Sequence, residues 1–131
     1  MTKSLKSLIE YRLQSSDESM FTAKLLFENH QYRDCVNRLY YSCFYAVLAL
    51  LLTADSHAKT HKGILNLFYQ HFIATGIIDD KHNLFFTKLF QTRIQGDYED
   101  FAVIEQHNIE GWIDKAEDFI AAIKTYIDTL K

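Results

Sequence analysis

No proline occurs anywhere in the 131 residues of this chain, and only four are glycine. Proline breaks helix interiors and glycine weakens them, so a chain that lacks one and is sparing with the other is free to form long helices. The apolar residues use that freedom. Leu5, Ile9, Leu13, Ser16, Met20, Ala23 and Phe27 recur at alternating four- and three-residue steps, the stripe of one amphipathic helix, which predicts a helix from about Lys3 to Asn29. Only Asn29-His30-Gln31 separates it from a second helix starting near Tyr32 or Arg33, so the two should form an antiparallel hairpin.

Beyond Cys43 the second helix is apolar nearly all round, as expected of a central helix, and it should stop near Ala54. Thr60 is the expected N-cap of a third helix carrying Ile64, Leu65, Phe68, Phe72 and Ile73, which Thr75-Gly76 should end. Asp79 or Asp80 should cap a fourth helix through Leu84, Phe85, Leu89 and Phe90, ending at Gln95 with Gly96 as a left-handed residue. An irregular stretch from Asp97 to Val103 leads to a last helix with Trp112, Ala116, Phe119, Ile120, Ile123 and Ile127 at helical spacing. No segment alternates like a strand. The expected fold is all-α, an antiparallel four- to five-helix bundle over residues 1–131 as one domain.

A formal charge of −3 gives no bulk attraction for a polyanion, so any nucleic-acid contact must come from a local cluster such as Arg33/Arg38 or Lys59/Lys62. The longest uncharged stretch, Leu39 to Ala54, is shorter than a typical membrane span and holds three tyrosines, so no membrane is expected as a partner. The first residues lack the apolar core of a secretory signal, and the expected location is cytoplasmic. Cys35 and Cys43, eight residues apart on one helix, would lie about 12 Å apart. That exceeds the roughly 7 Å limit for a disulfide, so both should be buried reduced thiols.

Arginines and tyrosines on helices that otherwise look like core are the chemical question. A buried guanidinium or phenol is costly without hydrogen bonds, an interface or a ligand. Arg38, Tyr41 and Tyr45 fall at i, i+3 and i+7 and share one face, distinct from the Val36/Tyr40/Val47 side. Their rings either pack between helices with hydroxyls at a rim or form a base-stacking, phosphate-binding wall. Arg93 precedes Asp97 by four residues, an ordinary helical ion-pair spacing. A helix end at Gly96 would let Tyr98 fold back beside Arg93. His57 and His61 have the spacing of a metal pair, but no glutamate follows His57, which should lie in a loop, so no metal and no cofactor are expected. His61 is either a helix-terminus residue or a general acid/base.

Taken in order, Ala23-Lys24-Leu25-Leu26, Asn37-Arg38-Leu39-Tyr40-Tyr41-Ser42-Cys43-Phe44-Tyr45, Thr60-His61-Lys62-Gly63 and Arg93-Ile94-Gln95-Gly96-Asp97-Tyr98 resemble the HEPN superfamily. The likeness is to its short prokaryotic stand-alone branch and spans nearly the whole chain. It implies a dimerising helical bundle, often paired with a minimal nucleotidyltransferase in toxin-antitoxin systems. Ribonuclease members share an arginine followed after four to six residues by histidine, joined across the dimer to cleave RNA without metal. Arg93 matches that arginine, but Tyr98 stands where the histidine is expected. A phenol, with an ordinary pKa near 10, is a poor proton acceptor at neutral pH unless a cation lowers it.

The expected function is therefore a homodimeric module that holds a nucleotide or RNA end near Arg38, Tyr41, Arg93 and Tyr98 and acts with a nucleotidyltransferase partner. Arg93 would neutralise phosphate, with Asn37, Tyr45 and Asp97 as further binding residues. The alternatives are a metal-independent endoribonuclease using Arg93 with Tyr98 or His61, and a purely structural interaction protein.

Overall fold

Threonine at position 2 starts the first helix: its Oγ1 accepts from the Leu5 amide at 3.1 Å, satisfying one of the donors that a helix N-terminus leaves open. The computed structural model describes residues 1–99 and 103–131, and of Asp97 and Tyr98 the backbone alone. Helix α1 spans Lys3–Glu28 and α2 spans Tyr32–Thr53. The chain reverses between them through His30 at φ 61°, and the Asn29 side chain donates back to the Leu25 carbonyl at 2.7 Å. The antiparallel hairpin expected from the short connection is thus formed, and its two helices make the most extensive contact in the molecule.

Small residues let α1 and α2 approach. Ser16 Oγ donates to the Ser42 carbonyl at 2.7 Å, and Ser42 Oγ donates to the Ser16 carbonyl at 2.9 Å, a reciprocal pair of buried hydrogen bonds across the hairpin. Helix α2 buries Cys35, Val36, Leu39, Tyr40, Ala46, Val47, Leu50 and Leu51 and is the core helix against which α4 and α5 pack. By length and composition alone it could cross a membrane, but most of its apolar window is enclosed by the bundle. Both cysteines are free and buried, as their spacing required.

Thr60 caps α3 (His61–Phe68), its Oγ1 accepting from the Gly63 amide at 2.9 Å. The helix widens into a π-turn at Tyr69–Ile73 and stops before Gly76, whose φ of 80° needs glycine. Asp79 caps α4 by accepting from the Lys81 amide at 2.9 Å. This helix does not end at Gln95 as the sequence suggested. It runs Asp80–Tyr98, with the Glu99 amide still bonded to the Gln95 carbonyl at 3.1 Å. Gly96 is helical, and its missing side chain serves close packing: a Cβ there would meet Ile104 Cδ1 at 3.0 Å and Arg33 Cγ at 3.1 Å. The signal that resembled a helix stop was a close approach between chain segments.

A 3-10 turn at Gln106–Ile109, closed by a capping box between Glu105 and Asn108, precedes Gly111 at φ 78° and α5 (Trp112–Thr129). The fold is all-α with five α-helices and, among the described residues, no strand. Phe68, Phe86 and Phe119 meet in its centre, with ring centroids 5.4–5.7 Å apart.

Candidate functional site

Where α2, α3 and α4 converge, Tyr40 is enclosed completely, with no exposed surface. Phe86 of α4 lies nearly parallel to it, with centroids 5.7 Å apart and planes 9° from coplanar, and Phe90 lies at 5.9 Å. Its hydroxyl reaches Nδ1 of His61, the first residue of α3, at 2.7 Å. Thr60 fixes that end of α3, and Phe44 stacks on the imidazole at 4.5 Å and 16°. Arg93, one turn past Phe90 on α4, sets its guanidinium carbon 5.2 Å from the ring centres of both Tyr40 and Tyr41. Arg38 lies over Tyr41 at 4.9 Å.

The arrangement is an aromatic wall flanked by two guanidiniums, with one imidazole set into it. Asn37 holds Arg38 in place, its Oδ1 accepting from Nε at 3.1 Å and Nη2 at 2.8 Å. Tyr45 continues the stripe beside Tyr41 at 5.9 Å. With Arg38 it closes a groove of about 310 Å³ against the Ser15, Ser19 and Thr22 hydroxyls and the Glu18 carboxylate of α1. The face shared by Arg38, Tyr41 and Tyr45 is therefore real and opens onto polar surface.

Burial and the nearby Arg93 cation both disfavour a charged His61, so its pKa falls below the ordinary 6.5. Burial pushes the Tyr40 phenol far above its ordinary 10, and Arg93 offsets that only in part. Tyr40 is thus a protonated phenol at any physiological pH. Among the described residues its hydroxyl has no acceptor other than His61 Nδ1. Donating there satisfies the buried O–H and assigns the imidazole's own proton to Nε2. His61 in this tautomer is a neutral N–H donor on a wall already carrying two cations.

The structure brings Arg93, Arg38, Tyr41, Asn37, Tyr45 and His61 into one region. The side chains of Asp97 and Tyr98 lie outside the described residues. Their backbone is helical, so the turn at Gly96 that was to fold Tyr98 back beside Arg93 is not formed. His57 sits in the exposed connection before α3, paired with Asp55 at 3.3 Å, and does not join His61. By spacing, Tyr40 belongs to the Val36/Val47 side of α2 and Phe44 to the apolar continuation of that helix beyond Cys43. They are the residues that hold His61, and a phenol at a fully buried helix position was the available signal, because it needs a hydrogen-bond partner.

An all-α bundle with a cation- and tyrosine-rich centre on its second and fourth helices is the class defined by these features. The model of the HEPN domain matches residues 9–126, and the chain belongs to that family. It is 37% identical to a UPF0332 protein of Thermotoga maritima over 96% of both chains. Two proteins of Methanocaldococcus jannaschii that carry the name "Putative toxin" are 34% and 30% identical to it. These matches cover 95% and 93% of this chain and 92% and 83% of theirs.

Proposed function

We propose that the chain is a toxin-like HEPN module, a cytoplasmic homodimer that binds the phosphate of a nucleotide or RNA at the Arg93 centre and acts with a nucleotidyltransferase partner. The observation that carries this reading is the joint placement of Arg93 and His61 on Tyr40. Arg93 supplies a guanidinium cation, and His61 Nε2–H supplies a neutral donor. Tyr41 and Tyr45 offer ring faces for a base or sugar, and Arg38 a second cation. The names of the two archaeal relatives support the toxin-like character.

Thermal unfolding with and without ligand tests it. A single-stranded RNA or a nucleoside phosphate should raise the melting temperature of the wild type and not that of a folded Arg93→Ala variant. An equal rise in both would remove the centre from the account.

A second reading, a metal-independent endoribonuclease, is favoured by one feature: α3 supplies beside Arg93 the histidine that position 98 lacks. For His61 to accept a proton at Nε2 the ring must take the other tautomer. Nδ1–H would then face the Tyr40 oxygen, and the buried phenol proton would lose its acceptor at a cost of about 1–3 kcal/mol. That cost is why binding is preferred over cleavage. RNA cutting in the presence of chelator, abolished by His61→Gln, would reverse the preference.

A further inference from the structure

Helices α4 and α5 pack on α2 more than on each other, and between them lies a groove of about 400 Å³ that the Arg93 centre does not use. Lys81, Lys88 and Lys115 stand around it, over a floor of His82, Phe85 and Trp112. Asp118 is the one acid in the lining, so the lysines leave it with an excess of two positive charges. None of the three ammonium groups makes an ion pair or hydrogen bond among the described residues.

His82 is the independent observation. The residue is only 8% exposed, its ring packs edge-on against Phe119 at 5.7 Å, and among the described residues its nitrogens have no protein partner but keep contact with solvent. Burial and the Lys81 charge hold its pKa below the ordinary 6.5, against the opposing pull of Asp79 and Asp118, so the ring is neutral at pH 7. Its ring nitrogens are not sealed from solvent, so a molecule in the groove can hydrogen-bond to them in place of water. On the rim, Leu84 is 65% exposed, and Phe85 meets Trp112 edge-on at 6.0 Å, so the groove also offers apolar surface.

We propose that this groove is a second ligand site, for a small phosphorylated molecule with a flat or apolar body. The phosphate is shared among Lys81, Lys88 and Lys115, His82 hydrogen-bonds to the ligand, and the body covers Phe85 and Leu84. The volume lies in the range of about 300–1,000 Å³ usual for small-ligand pockets. The site is separate from the Arg93 centre. Lys81, Phe85 and Lys88 form one stripe of α4, and Phe86, Phe90 and Arg93 another. Phe85 and Arg93 are about 12 Å apart along the axis.

Trp112 is the only tryptophan of the chain and lies in the groove, so its fluorescence reports occupancy directly. Phenyl phosphate, inorganic phosphate and phenol serve as probes. Phenyl phosphate should give a saturable change with a Kd at least tenfold tighter than either half alone. Lys88→Ala combined with Lys115→Ala should weaken it at least fivefold with helical circular dichroism retained, and Arg93→Ala should leave it unchanged. No saturable change, or the same Kd in the double lysine variant, overturns the proposal. So does a change produced by single-stranded RNA and not by phenyl phosphate.

Discussion

The phenol oxygen of Tyr40 lies 2.7 Å from Nδ1 of His61, joining the middle of α2 to the first residue of α3. Tyr40 has no exposed surface, so water does not compete for that contact. Tyr40→Phe should lower stability by about 0.5–1.5 kcal/mol, the usual net worth of one hydrogen bond. It should also release the imidazole to populate both tautomers. Urea unfolding checks the first effect, and nitrogen chemical shifts of His61 check the second.

Protonation of His61 is linked to folding. Its pKa is depressed in the native state, so between that value and the ordinary 6.5 the unfolded chain binds more protons than the native one. Stability should therefore rise with pH through that window, level off above it, and be lost on acidification. His82 is depressed too and acts with the same sign. Arg93→Ala removes one of the two causes at His61, so its pKa measured by proton NMR should rise toward 6.5 while that of His82 stays where it was.

The reciprocal Ser16 and Ser42 hydrogen bonds fix the register of α1 against α2. Ser16→Ala and Ser42→Ala each remove one buried hydrogen bond and leave the helix carbonyls their backbone partners. Each should cost about 0.5–1.5 kcal/mol. Thermal or urea unfolding of the single and double variants gives the coupling between them, expected at about 0.5 kcal/mol or more for residues in direct contact.

Most of the fold was legible because helical periodicity and capping residues act locally: Thr60 and Asp79 cap the helices their positions suggested. Gly96 was misread because glycine marks helix ends and close approaches alike, and only the tertiary neighbours Arg33 and Ile104 tell them apart. The stripe of Arg38, Tyr41 and Tyr45 could be read from spacing within one helix. The union of His61, Tyr40 and Arg93 could not, because it depends on how three helices pack.

Gly96 itself makes a prediction. Alanine there gains about 1 kcal/mol in helix propensity against a tight contact with two movable side chains, and should fall within about 1 kcal/mol of the wild type. Gly96→Val adds two methyl groups and a β-branch to the same space and should lower stability by about 1–3 kcal/mol. Denaturant midpoints of the two variants separate close packing from a left-handed conformation, which would penalise both.

RNA affinity of the wild type and Arg93→Ala, measured by anisotropy of a labelled single strand in low-salt buffer, bears most directly on the centre. Loss of charge-assisted hydrogen bonds of about 1.5–3 kcal/mol predicts weakening of about 10- to 100-fold, with the helical spectrum unchanged. Equal affinity in the two proteins would contradict the assignment of phosphate binding to Arg93.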